Sequence, residues 1–356
     1  MTSIRRSLYA LLLSLPAVLP PVAVQAQTEP DIMLPSLVVT PDRVPTDADK
    51  VTGTVTVITN KEMQDRQLRT ATDVLSTVPG ISVQQSGGPG TLTSVFVRGS
   101  NANHVLVLID GVNVADPSSA GGAVDFGHFL TENLDRIEVV RGPMSTLYGS
   151  QAIGGVINMV TKAGKGPMNG AAFTELGTRL QTNSGGYVRG SIGRFDYNLT
   201  GAFTYSPNDT VVPARFWPPN GFVDTDPYRN FTVAGRLGFQ IDDNSRINYF
   251  GRFIDTQVKY DQVGLEDPNA GGFTQQFFNR VEFEGNYLDG RWKPTVGFNY
   301  STIYRHDQDF PSLQNPFPFT QDAYYNGRRL AVDVKNQINL ADNVMVLAGV
   351  DYVLMG

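Results

Sequence analysis

The residues able to do acid–base or covalent chemistry are few and scattered. The three histidines, His104, His128 and His306, stand far apart in the sequence, and no serine–histidine–acid set or HExxH motif accompanies them. His104 precedes an apolar run and reads as structural. There is no cysteine, which removes disulfides and thiolate metal sites. Gly87-Gly88-Pro89-Gly90 lacks the lysine and helix that a phosphate loop needs. Arg98 and Arg141 each close a β-prone run as Arg-Gly, a position that a solvated strand end explains. Asp209, Asp224, Asp226, Asp261, Glu266 and Asp267 could bind Ca²⁺ through oxygen ligands, but their spacing is irregular and solvated loop acids account for them as well. The chemistry on offer is that of binding, not catalysis: no catalytic residues, no resident metal and no cofactor are expected.

Composition narrows the class. A net charge of −6 gives no electrostatic case for nucleic acid. The chain has 36 glycines, 20 phenylalanines, 14 tyrosines and only 17% charged residues. That mixture suits a β-protein with many turns and half-apolar strands. Residues 1–26 read as a secretory signal: Arg5 and Arg6 are basic, 8–15 is a short apolar run, and Val24-Gln25-Ala26 places small residues at −3 and −1. The run is too short for a transmembrane anchor, and Pro16, Pro20 and Pro21 interrupt it. Export without an anchor leaves the periplasm, the outer membrane or the outside.

The elements that must position any binding group follow in three stretches. Residues 27–50 are polar and dotted with prolines, as in a flexible arm. One apolar island, Leu37-Val38-Val39-Thr40, sits in it. It is either the first strand of the next domain or a strand free to add to a partner's sheet edge. Residues 51–163 read as one α+β unit. A strand at 55–58 precedes a helix over 61–67 capped by Asn60, then a helix over 73–78 capped by Thr70 or Thr72 and ended by Pro79-Gly80. Val95-Phe96-Val97 is a strand, and 105–109, Asp110-Gly111 and 112–114 form a hairpin. The unit ends in IEVVRGPMSTLYGSQAIGGVINMVTK (137–162), which reads as strand, glycine-rich corner, strand. Within it, residues 85–93 (QSGGPGTLT) and 115–122 (ADPSSAGG) compose as flexible loops that offer backbone and hydroxyl hydrogen bonds.

Residues 164–356 change to period-two alternation. Nine strands are expected, at about 170–180, 185–194, 196–206, 229–241, 246–258, 275–288, 291–304, 324–340 and 343–354. Leu199, Phe203, Val233, Leu237, Val296, Phe298, Val332 and Val334 share the apolar face; Arg236, Glu282, Glu284, Asp333 and Lys335 share the polar one. Short turns near 195–196, 242–244, 289–290 and 341–343 alternate with long loops near 206–228, 259–273 and 305–323, as in outer-membrane barrels.

The wording of 137–162 closely resembles the end of the plug domain of TonB-dependent outer-membrane receptors. Residues 30–163 resemble that family throughout, and those after 170 resemble the start of its barrel. The run SGGPGTLTSVFVRGSNANHVLVLIDGV is especially similar to the family's cobalamin receptors. The resemblance implies an α+β plug domain followed by an all-β antiparallel transmembrane barrel. Of the 22 or so strands expected of plugged transporters, about nine are present, leaving the barrel incomplete. It implies that Leu37, Val38, Val39 and Thr40 are the TonB box, which pairs with the energy-transducing protein TonB. It makes Gln85, Ser86, Gly87, Gly88, Gly90, Leu92, Asp116, Ser118 and Ser119 candidates for ligand binding, and Arg98 and Arg141 plug–barrel contacts with carboxylate partners. The implied activity is energy-coupled uptake of a scarce, large nutrient by an outer-membrane monomer, cobalamin first and a ferric siderophore second. The alternatives are a truncated fragment that binds only ligand or TonB, and a passive barrel or adhesin.

Overall fold

A computed structural model describes residues 37–38, 46–47 and 54–356, apart from 209, 211, 218–222, 262–266, 268, 313–315, 317–321 and 342–343. The signal segment, Val39, Thr40, Asp209 and Glu266 lie outside the described residues. In the arm, β1 (Leu37–Val38) pairs antiparallel with β2 (Thr46–Asp47).

The plug begins with β3 (Thr54–Thr59) and α1 (Asn60–Asp65). Asn60 is not the cap: Thr59 holds that position, its Oγ1 accepting from Glu62 N at 3.3 Å, because its backbone is still extended. Asn60 instead donates to Leu134 O at 2.9 Å. Thr70 caps α2 (Ala71–Ser76) in a reciprocal box with Asp73. Strands β4 (Ile81–Gln85) and β5 (Thr93–Val97) pair with each other around the first candidate loop. β6 (Val105–Ile109) turns into β7 (Val112–Asn113) through Asp110 and Gly111, both at positive φ, as a two-residue hairpin demands. β8 (Leu134–Arg141), the short α3 (Ser145–Tyr148) and β9 (Gly155–Thr161) complete the strand–corner–strand. The plug sheet runs β3-β8-β9-β6-β7, with β6 and β9 parallel.

The remaining strands form one antiparallel sheet in sequence order. They are β10 (Asn169–Leu176), β11 (Thr182–Ile192), β12 (Phe195–Ser206), β13 (Tyr228–Asp242), β14 (Ser245–Lys259), β15 (Gly271–Gly285), β16 (Trp292–Gln308), β17 (Asp322–Ala341) and β18 (Val344–Met355). The nine expected strands are the nine observed among the described residues, and they form part of a barrel wall. One turn is displaced. The β11–β12 reversal uses Gly193 and Arg194 rather than 195–196, because Gly193 alone there supplies positive φ.

Register puts Tyr197, Leu237, Tyr249, Val281, Phe298 and Val332 in one cross-strand row on the outward face. Leu199, Val233 and Phe298 are each more than 40% exposed, an apolar belt of the kind found on the outer face of transmembrane barrels. The inward face carries Asn230, Arg252 and Arg280, all buried. It also carries Phe250, Ile254, Phe278 and Ile303, which join the plug's own core cluster; Phe278 lies 6.5 Å from Phe129, ring centre to ring centre.

The two faces should respond oppositely to charge. Phe298→Arg on the outward face should cost about 2–4 kcal/mol, and Gln337→Arg on the inward face much less. Denaturant titration in lipid vesicles measures both, and equal losses would contradict the assignment of faces.

Candidate functional site

The 85–93 loop is held from within and from the wall. Gln85 Nε2 donates to Gly88 O at 2.6 Å, Thr91 Oγ1 donates to the same oxygen at 2.8 Å, and Ser86 N donates to Leu92 O at 3.0 Å. Asp125 Oδ1 accepts from Thr93 N at 3.0 Å and Gly127 N at 2.9 Å, fixing the loop's exit. Gly90 sits at φ +83° against the Tyr228 ring; a Cβ there would lie 2.0 Å from a ring carbon. Glycine is therefore needed twice over, for conformation and for close approach. Leu92 projects outward, 56% exposed.

In the 115–122 loop, Asp116 is buried and both its oxygens are engaged. Oδ1 accepts from Ser118 N at 2.8 Å and Ser118 Oγ at 2.6 Å; Oδ2 accepts from Arg305 Nη1 on β16 at 3.2 Å. Ser118 and Ser119 stay half-exposed. The two candidate loops thus both lean on the wall, one at Tyr228 and one at Arg305.

Below Tyr228 the seam is a polar cluster. Asn230 Nδ2 donates to His128 O at 2.9 Å and to the Tyr228 hydroxyl at 2.8 Å, and that hydroxyl donates to Gly127 O at 3.2 Å. Burial pushes the His128 imidazole below its ordinary pKa; Asp125 opposes this and Arg305 adds to it. Burial also pushes the Glu132 carboxyl above the usual carboxylate range.

Arg98 and Arg141 bond to plug oxygens. Arg98 Nη2 donates to Thr54 Oγ1 at 2.9 Å; Arg141 donates to Thr56 Oγ1 at 2.7 Å and to Pro79 O. Among the described residues, the plug–wall ion pairs are made by others: Arg69 with Glu175, Asp110 with Arg236 at 3.7 Å, and Asp116 with Arg305. Arg252, buried on β14, donates to Asn133 of the plug. Sequence reasoning missed these pairs. The available signal was a series of arginines at inward positions, Arg236, Arg252 and Arg305, on strands that face the plug.

Of the candidate loop acids, Asp224, Asp226 and Asp261 come together, with one carboxylate oxygen of each within 4.8 Å of the others. Asp261 also accepts from Thr210 Oγ1 and from Asp267 N, both at 2.8 Å, which ties two long loops to one point. These three carboxylates are hard oxygen ligands of the kind that suit Ca²⁺.

Comparison with known proteins bears on this geometry. Residues 47–156 match the model of the TonB-dependent receptor plug domain. That stretch is a plug domain of the TonB-dependent receptor family. The vitamin B12 transporter BtuB of Vibrio vulnificus strain CMCP6 is 30% identical over 313 residues, 87% of this chain and 42% of the relative. BtuB of strain YJ016 is 32% identical over 230 residues, 63% of this chain and 36% of the relative. The chain thus spans less than half the length of these curated relatives. Among solved structures, the siderophore receptor PirA from Acinetobacter baumannii superposes with a TM-score of 0.68 at 18% identity, covering 85% of this chain and 48% of that one. The ferripyoverdine receptor of the outer membrane of Pseudomonas aeruginosa gives 0.70 at 16%, covering 89% and 44%. At such identities the structures establish the shared fold, a plug within a barrel wall.

Two outcomes follow from the seam and the loops. An imidazole held neutral by burial binds its proton more readily when unfolded, so its share of stability is intact above pH 6.5 and is lost as pH falls through the interval below. Melting curves should show that loss in the native protein and not in His128→Gln; parallel curves would remove His128 as its source. Millimolar Ca²⁺ should raise the melting temperature, and Asp226→Asn should abolish the rise; a rise unaffected by the substitution would place the ion elsewhere.

Proposed function

We propose that the protein takes part in TonB-dependent uptake of a scarce, large nutrient across the outer membrane, cobalamin first and a ferric siderophore second. The observation that carries the reading is a plug domain docked by ion pairs on the inward face of a sheet whose outward face is apolar. A passive barrel or an adhesin has no use for such a plug. Similarity to vitamin B12 transporters supports cobalamin; the folds of the siderophore receptors keep the second cargo in play.

In this reading the cargo meets the 85–93 and 115–122 loops from outside, through Gln85, Ser86, Gly87, Gly88, Gly90, Leu92, Ser118 and Ser119, with Asp116 behind them. TonB pairs with the segment Leu37-Val38-Val39-Thr40. Support for the arm is its strand character: Leu37 and Val38 already pair with Thr46 and Asp47, and a strand able to pair internally is able to pair with a partner's edge. The membrane holds no nucleotide to drive uptake, which makes an external energy source necessary. The protein works in the outer membrane as a monomer.

Val38→Pro tests the reading, since proline removes a pairing donor. In cells, uptake of labelled cyanocobalamin should be lost while binding to outer-membrane vesicles persists. Normal uptake by this variant would sink the TonB-box assignment.

A further inference from the structure

We propose that Arg305 is a positioning residue for the cargo: it clamps the 115–122 loop to the barrel wall and sets cargo affinity through Asp116 without touching the cargo. The identity of the cargo rests on the uptake reading above; the clamp itself rests on the geometry of the seam.

The Arg305 guanidinium is gripped from several sides. Asp116 Oδ2 lies 3.2 Å from Nη1, Asp307 Oδ2 lies 3.8 Å from Nε, and the Tyr325 ring centre lies 4.5 Å from Cζ. The planar cation therefore has an aromatic face beside it and a plug carboxylate at its edge, an arrangement that lysine reproduces poorly. Asp116 passes this grip into the loop. Its second oxygen holds Ser118 N and Ser118 Oγ, its carbonyl accepts from Ser119 N at 3.1 Å, and Ser119 O accepts from Gly122 N at 3.0 Å. A displacement of Asp116 thus moves the half-exposed Ser118 and Ser119 with it. Both Asp116 oxygens are occupied and the residue is buried, so its effect on a cargo passes through the loop it shapes.

A second contact points the same way without using charge. Gly327 on β17 lets the wall come up against the loop: a Cβ there would stand 2.9 Å from Pro117 Cδ, 3.0 Å from Asp116 Oδ1 and 3.1 Å from Ser118 N. The loop is seated by an absent side chain on one strand and a cation on the next.

Beneath the clamp a gap of about one water's size remains. The gap, about 10 Å³, is bounded by the polar Asp116, Gln276 and Arg305 and by the apolar Val114, Phe129 and Ile303. Gln276 Oε1 and Arg305 Nε have no hydrogen-bond partner among the described residues. The ion pair beside this gap fixes where the loop sits, while the apolar side chains below it hold plug and wall together.

The test uses the full chain in outer-membrane vesicles, with cyanocobalamin and a ferric hydroxamate as probes and hydrogen exchange of the 115–122 amides read without either. Arg305→Ala should speed that exchange and weaken probe binding, each by roughly tenfold, and Arg305→Lys should recover part of both. Asp116→Asn should have a similar effect, and the double variant should be no worse than either single one, the non-additivity expected of two groups acting through one contact. Gly327→Val should loosen the loop and weaken binding with both charges in place. Unchanged exchange in Arg305→Ala, or additive losses of affinity in the double variant, would overturn the clamp. If the native protein binds neither probe, the cargo reading fails, and the exchange rates alone still decide whether Arg305 holds the loop.

Discussion

Phe278 on the barrel wall packs into the plug against Phe129, and Phe250, Ile254 and Ile303 enter the same core beside it. The rest of the structure depends on this contact. A barrel's inward face is ordinarily polar. Here the core closes only with four side chains lent by the wall. Each apolar side chain so buried contributes about 1.5–3 kcal/mol. The ion pairs lie around this patch. Arg236 and Arg305 remain partly exposed, so their pairs are softened by solvent and supply orientation more than adhesion.

Much of this was legible in the sequence. Alternation with period two gave the nine strands and their outward faces, because a strand with one apolar and one polar side has no other pattern available to it. Asp110-Gly111 gave its hairpin because few other pairs accept positive φ twice. The inward apolar patch was not read, although it left a trace: Tyr249-Phe250, Phe253-Ile254 and Phe277-Phe278 are adjacent apolar pairs that interrupt the alternation. Read alone, such a pair is indistinguishable from an irregular strand; it acquires meaning only once the plug is known to lie against it. The site divides in the same way. Local composition marked the two loops, whereas Asp116 meets a partner 189 residues away, a distance no local pattern spans.

Glycine has a particular role at the seam. Gly90 and Gly327 stand on opposite sides of it, one on the plug and one on the wall, and each admits a neighbour at a distance no other residue allows. The candidate binding surface is thus shaped by side chains left out as well as by those present. Ser118 and Ser119 stand where they do because the backbone beneath them is pressed to the wall.

The two sheets differ in how far apart in sequence their partners lie. Every pairing in the nine-stranded sheet joins sequence neighbours, so each strand can be laid against the one just made. The plug sheet instead joins β3 to β8 and β6 to β9, across stretches of chain that must first be looped out. Local pairings form quickly and distant ones slowly, since loop entropy is lost before any contact repays it. Contact order thus favours early pairing in the wall and later closure of the plug sheet. Until the plug closes, Phe250, Ile254, Phe278 and Ile303 face an unfilled interior, and that interval is when an assembling chain is most open to aggregation and to quality-control proteases.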